Sequence, residues 1–357
     1  MSTTEPIATG IMAAEILESS SAGFAAAANA VLQSSRPDGQ ERNSTAWQQH
    51  FQQRVLELAA ALRVGEPGLF ASRIAWLRRA SAARNNDDSE IRQALKSLRA
   101  ALQSEMPDFI AASVNEVVEL ALAESEKPLT AEDQVLDPAT PEGKLGLDYI
   151  AACLDAATGN PVDLIMAAID DGMKPETVYC QVLLKVQKEV GQLWHVGDFS
   201  VSEERLVSET TRRVMSLIAT RFKPDATNGR TVLCASVAGN AHDIGLRTVS
   251  DLFSLAGWRT LFLGANVPSA EIAGAASEYA VDLVVLTATL TPQLNALTNA
   301  IKAIKQEAPG TPVLVGGIAF DDSEEIWRRV GADGFARQVD QAVQIGTELT
   351  KTTVDGR

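Results

Sequence analysis

Three short groups in the last third of the chain carry residue types that can do chemistry. The first is Asn240-x-His242-x-x-Gly245, where a short aliphatic run, Thr231–Ser236, passes through a small-residue loop into an amphipathic helix opened by Asp243 and Ile244. A neutral imidazole is a metal donor, and a neighbouring acceptor can hold its second ring nitrogen. Asn240 is such an acceptor and carries no charge. The second group is Thr287-x-Thr289, followed by Leu290 and Thr291. Its hydroxyls can hydrogen-bond a ligand. The third is Gly316-Gly317, where missing side chains let another group approach the backbone closely. Each is ambiguous alone, since a histidine can fill a helix cap, threonine ends many strands and Gly-Gly makes common turns.

The elements that position them follow from the pattern of the rest of the chain. From Arg230 on, strands at 231–236, 259–263, 283–287, 312–315 and 334–336 alternate with helices at 243–256, 269–279, 292–306, 322–330 and 338–349. Alternation at this spacing predicts a parallel sheet covered on both faces, an α/β fold of flavodoxin-like (Rossmann-like) type with strand order 2-1-3-4-5. All three groups then fall at the carboxyl edge, where open α/β sheets bind ligands.

Upstream, the chain reads as helical. Residues 1–44 are rich in Ala and Ser and read as loose or weakly helical. Residues 45–126 carry four amphipathic segments, an N-terminal helical module opened by Thr45-x-x-Gln48. Residues 127–143, with their prolines and acids, read as a linker. Residues 144–225 form a four-helix-bundle cap, including one helix from Lys174 to Trp194 and another opened by the capping box Ser200-x-x-Glu203. Residues 229–357 are the α/β domain.

The ordered set Asn240-x-His242-x-x-Gly245, Thr287-x-Thr289, Gly316-Gly317 resembles the cobalamin-binding domain of methionine synthase and its relatives, over roughly residues 145–349. That family reads Asp-x-His-x-x-Gly, Ser-x-Leu, Gly-Gly. The departures are Asn240, Thr287 and Thr289. The resemblance implies that His242 is the lower axial ligand of cobalt. It further implies that Thr287 bonds the displaced benzimidazole, that Gly316 and Gly317 admit the nucleotide tail, and that Thr291 lies near the corrin edge. The cap is similar to that of light-sensing regulators, which carry Trp, nine residues, then Glu-His. Trp194 and Glu204 match, but Arg205 stands where the histidine would be. Guanidinium is a poor ligand, so Arg205 argues against a second axial histidine there; His195 is a substitute candidate. Arg205 can instead pair with a carboxylate, including a propionate of a second tetrapyrrole, as in the similar photocobilins.

Composition narrows the classes. A formal charge of −15 argues against direct nucleic-acid binding. No apolar run reaches membrane-spanning length, and the first residues lack a signal-peptide pattern. Cys153, Cys180 and Cys234 form no CxxC and suit buried thiols of a cytoplasmic protein. Three histidines exclude a histidine-rich metal site. The expectation is a cobalamin-binding sensor or regulator, more a photoreceptor than an enzyme. It would hold adenosylcobalamin, with a bilin such as biliverdin as a second chromophore, and signal through a homo-oligomer or a protein effector. The alternative is a corrinoid protein carrying a methyl group for a methyltransferase; an uncharged Asn240 argues mildly against that, because methyl-transfer relatives use the aspartate to manage protons.

Overall fold

The computed structural model describes residues 4–35, 44–83, 89–128, 135–154, 159–196, 199–224, 226–321 and 325–354. The chain divides into two units. One comprises residues 1–130 with 290–295 and 321–330; the other takes in 131–289, 296–320 and 331–357.

In the first unit the helices are α1 (Thr4–Ser19), α2 (Ser21–Ser34), α3 (Ser44–Val64), α4 (Gly68–Ala83), α5 (Ser89–Glu105) and α6 (Asp108–Ser125). Of the segment read as loose or weakly helical, residues 4–34 carry these two helices, and residues 36–43 lie outside the described residues. Its alanines, which contribute little apolar area to a sequence pattern, let backbones approach closely. Gly10 of α1 sits so near α3 that a methyl group would meet the Leu62 carbonyl oxygen at 2.7 Å. Leu17, Phe24, Ala28 and Leu32 are buried in consequence. Glu57, also buried, is held by Arg54 (Nε–Oε2 2.6 Å) and Arg73 (Nε–Oε1 3.1 Å). Such pairing offsets the cost of taking these charges out of water.

The second unit opens with α7 (Pro141–Leu154) and α8 (Pro161–Asp170), the latter capped by Asn160, whose side chain accepts from Val162 N–H at 2.9 Å. The helix expected from Lys174 to Trp194 is composite. α9 (Pro175–Thr177) runs into a π-helical stretch, Val178–Leu183, and then α10 (Leu184–Val196). α11 (Val201–Arg221) starts on the expected capping box, with both reciprocal bonds formed between Ser200 and Glu203. Tyr149, Val182, Val186, Val207, Val214 and Ile218 make the core of this helical layer.

The π stretch carries Tyr179, which is fully buried; its hydroxyl donates to Asp251 Oδ2 at 2.8 Å. Burial pushes the Asp251 carboxyl up to about 6, against the opposing pull of Tyr179 and Arg247. Between the unfolded value near 3.8 and this raised one, the native chain keeps a proton that the unfolded chain releases. Stability therefore falls as pH rises through that window, by at most roughly 3 kcal/mol at 1.36 kcal/mol per pH unit. Asp251→Asn keeps an acceptor for Tyr179 and removes the charge. Urea unfolding from pH 4 to 7 is expected to show the variant gaining on the parent by about 1–2 kcal/mol. A difference that stays flat with pH would contradict this account.

The sheet is parallel, in the expected order β2-β1-β3-β4-β5. β1 (Thr231–Val237) leads into α12 (Ile244–Leu255), β2 (Arg259–Val267) into α13 (Ser269–Glu278), and β3 (Leu283–Thr287) into α14 (Gln293–Glu307). β4 (Val313–Gly316), α15 (Ile326–Arg329), β5 (Gly334–Phe335) and α16 (Ala342–Val354) follow; residues 322–324 of the expected helix 322–330 lie outside the described residues. Val232, Leu233, Val284, Val285, Leu314 and Val315 are buried, as both faces of a covered parallel sheet require. The register pairs Ser236 with Thr287 and Thr287 with Gly316, so these three line up along the carboxyl edge. Among the described residues no helix is long and apolar enough to cross a membrane.

Candidate cofactor site

The loop after β1 is organised around Asn240, which is fully buried. Its backbone N–H donates to Val237 O at 3.0 Å, and its carbonyl accepts from Ser236 Oγ at 3.2 Å. The side chain is used at both ends. Nδ2 donates to Thr287 O at 3.2 Å. Oδ1 accepts from His242 N–H at 3.2 Å and lies 3.1 Å from His242 Nδ1. Two fixed partners set the amide orientation, and the amide oxygen can only accept. The imidazole therefore carries its proton on Nδ1, which leaves the Nε2 lone pair for a ligand.

His242 is exposed on the loop. Desolvation by its neighbours, with a smaller effect from Arg212, lowers its pKa below the ordinary 6.5, while Glu204 and Asp243 pull the other way. A lowered value keeps the ring neutral and able to donate a lone pair. Asp243, at the N-terminal boundary of α12, makes no capping bond. Its carboxylate instead takes Arg212 of α11 (Nε 2.9 Å, Nη2 2.8 Å), with Arg247 at 3.9 Å. Arg212 also reaches Glu209 at 2.7 Å. Ile244 packs into the core shared with the helical layer.

The remaining expected residues divide into several cases. Thr287 Oγ1 is buried and has no hydrogen-bond partner, so an acceptor or donor from outside the chain is the natural complement. A side chain at Gly245 would meet nothing within 4 Å, so the chain itself does not demand glycine there. Gly317 is different: at φ +109° its Cβ would lie 2.3 Å from Ala288 O. Gly316 is milder, 3.2 Å from Ala336 O. Part of the Gly-Gly requirement thus belongs to the backbone itself.

Glu204 accepts from Ser208 Oγ at 2.8 Å and acts on His242 electrostatically. Trp194 is 40% exposed, which sets it apart from the core tryptophan Trp258. The Arg205 side chain is exposed, its Nε 3.8 Å from Glu204 Oε2. The side chain of His195 lies outside the described residues. Thr289 follows the end of β3. Leu290 and Thr291 form the turn ahead of α14, with Gln293 N–H on Leu290 O at 2.9 Å and Leu294 N–H on Thr291 O at 3.1 Å. That turn groups with the first unit.

The structure thus brings together Asn240, His242, Asp243, Thr287 and Glu204, and adds Arg212, Ser208 and Ser236. Nothing local marks those three in the sequence; Arg212 becomes significant only through Asp243, 31 positions on. Among the described residues, no group of three or more His, Cys, Asp or Glu side chains could hold a metal ion. A metal on His242 must bring its other donors with it, as a corrin does. The free Nε2, the orphaned Thr287 hydroxyl and the open space at Gly245 fit such a group.

The family model for the B12 binding domain matches residues 230–344, and a second model of the same description matches residues 148–219. Among curated relatives, a corrinoid protein of Desulfitobacterium hafniense (strain Y51) is 23% identical over 205 residues, 56% of this chain and 94% of that protein. Dimethylamine corrinoid protein 2 of Methanosarcina acetivorans is 24% identical over 204 residues, 55% of this chain and 93% of that protein. Among solved structures, the monomethylamine corrinoid protein of Methanosarcina barkeri aligns with a TM-score of 0.50 at 19% identity, over 61% of this chain and all of that one, a likeness of fold. The helical layer and the sheet, each matched by a model of that description, thus carry the B12 binding domain over residues 148–219 and 230–344.

Proposed function

We propose that this chain is a corrinoid protein that holds cobalamin with His242 beneath the cobalt and offers the opposite face to a protein partner, as a carrier of a methyl group. The observation that carries the reading is the Asn240–His242 couple, which fixes the tautomer and leaves the Nε2 lone pair for a ligand. Thr287 would bond the lower base, and Gly245 and Gly316 would leave room for the tail. Bound cobalamin supplies a cobalt centre that accepts and releases an alkyl group. The chain's own residues bind it, keep the imidazole neutral and oriented, and shield the lower face. The likeness to dimethylamine and monomethylamine corrinoid proteins supports the carrier role.

A second reading, a light-responsive sensor that reports the state of adenosylcobalamin, draws on one specific observation. The acceptor at position 240 is a neutral amide already committed to Thr287 O, so it cannot take the imidazole proton. One experiment separates the two. The chain is loaded with methylcobalamin and assayed for methyl transfer to a thiol acceptor with a corrinoid-dependent methyltransferase, then loaded with adenosylcobalamin and illuminated. Transfer supports the carrier. A light-driven spectral change with altered oligomeric size, and no transfer, supports the sensor.

Both readings need the imidazole. In the chain labelled with 15N-histidine, His242→Ala is expected to abolish the 15N splitting in the electron paramagnetic resonance spectrum of bound cob(II)alamin. It is also expected to weaken uptake by about 10–100-fold, the usual penalty for disturbing a metal site. Unchanged splitting and uptake would remove His242 from the site.

A further inference from the structure

The loop that carries His242 is gripped from the neighbouring edge strand, at one residue. β1 and β2 pair in step up to Cys234 and Phe262, but Ala235 then pairs with Gly264 and Val237 with Val267. β2 therefore gains one residue on β1 at each of two steps. Bulges of this kind bend a strand and re-aim its side chains, and they recur beside functional sites. Here they bring Asn266 out of the ladder and over the β1 loop. Its φ is +55°, a left-handed conformation that asparagine tolerates better than most residues. From that position the side-chain Oδ1 accepts from Gly239 N–H at 2.7 Å, and the backbone N–H donates to Asn240 O at 2.9 Å.

Gly239 and Asn240 are the two residues whose placement decides where the His242 ring is held. Asn240 anchors the ring through Oδ1, and its own backbone is pinned by Val237, Ser236 and Asn266. Gly239 precedes it, and Asn266 provides the acceptor for its amide. We infer that Asn266 is a positioning residue for the cobalt ligand: it clamps the Gly239–Asn240 peptide from β2 and so fixes the reach of the His242 imidazole. The inference rests on the proposed ligation by His242, and it gives the bulged end of β2 a function that no residue in the Asn-x-His-x-x-Gly pattern performs.

Two variants of the full chain separate the side-chain clamp from the backbone conformation. Asn266→Gly keeps the left-handed backbone and removes the acceptor. Asn266→Asp keeps an acceptor in the same place. In the ligand-free chain, amide hydrogen exchange at Gly239 is expected to be about tenfold or more faster in Asn266→Gly, with parent-like protection in Asn266→Asp. After loading the 15N-histidine-labelled chain with cob(II)alamin, the imidazole-ligated fraction, read from 15N splitting, is expected to fall severalfold in Asn266→Gly and to be restored in Asn266→Asp. A purely structural role would lower the melting temperature without changing that fraction in the protein that remains folded. Faster exchange with an unchanged ligated fraction overturns the positioning role, and so does unchanged exchange. A parent chain that protects Gly239 yet shows no 15N splitting overturns the His242 ligation itself, and the positioning role with it.

Discussion

Replacing Asn240 with aspartate is expected to destabilise the ligand-free chain by roughly 2–4 kcal/mol, although it restores the residue of the family pattern. The reason lies in the half of the side chain that does not face histidine. Nδ2 donates to Thr287 O at 3.2 Å, and the residue is fully buried. A carboxylate would set one oxygen against that carbonyl and bury a negative charge between it and the loop. A buried carboxylate satisfied at only one of its two oxygens is among the few single changes that cost this much. Asn240→Ser, which loses the bonds but buries no charge, is expected to cost less. Urea unfolding of the ligand-free variants measures both. An aspartate variant within about 0.5 kcal/mol of the parent, the range of an ordinary surface change, would mean that the loop rearranges freely and that the amide is not a commitment.

A methyl group at Gly317 is expected to be at least as damaging. Gly317 sits at φ +109°, and its Cβ would meet Ala288 O at 2.3 Å and Ala288 C at 3.1 Å. Ala288 is buried at the end of β3, with its N–H donating to Gly316 O and its carbonyl accepting from Ala319 N–H. Neither partner can move without breaking the register that aligns Thr287 with Gly316. Gly317→Ala is expected to cost roughly 3–5 kcal/mol through combined backbone strain and overlap, and to reduce corrinoid uptake through the displaced β3–β4 edge. Gly245→Ala is the informative contrast. It has open space and an ordinary helical setting, so its stability is expected to stay within about 1 kcal/mol of the parent. A mild Gly317→Ala would remove the backbone requirement at that position, and unchanged uptake in Gly245→Ala would mean that the space at Gly245 does not serve the ligand.

Together these effects describe a site with more than one layer of support. Arg212 neutralises Asp243 beside the ring, Asn240 sets the tautomer, and Glu204 of α11 acts on His242 electrostatically while bonded to Ser208. Ser208 Oγ is also 2.9 Å from Gln187 Oε1, and Gln187 Nε2 donates to Thr211 Oγ1 at 3.0 Å. The polar face of the helical layer is thereby tied into its own core, which limits the positions Glu204 can take.

Much of this was legible in the residue order. Runs such as Thr231–Ser236 and Leu283–Thr287 are too short and too branched to be anything but buried strands, and their alternation with amphipathic helices leaves one economical topology. Their shared place at the carboxyl edge of the sheet followed, because a histidine, a threonine and a glycine pair each end a strand or its loop. Ser200-x-x-Glu203 also read correctly, since a capping box is a local bond between near neighbours.

What stayed hidden depends on contacts between distant positions. The α1 and α2 faces mix alanines with Leu17, Phe24 and Leu32, and their weak hydrophobic pattern acquires meaning only when another helix is close enough to touch. The π stretch at Val178–Leu183 has no composition of its own; it lies where Tyr179 meets Asp251, 72 positions away. Asn240 read as a neutral substitute for aspartate, but its commitment to Thr287 O arises from the pairing of β1 with β3. Asn266 had no signal at all, because its significance comes from a bulge in β2 that only strand pairing creates. Sequence by itself determined which side chains could do chemistry and on which edge of the sheet they stand. The tertiary structure alone decided how they are held, because hydrogen bonds across strands depend on register, and register is a property of the assembled sheet.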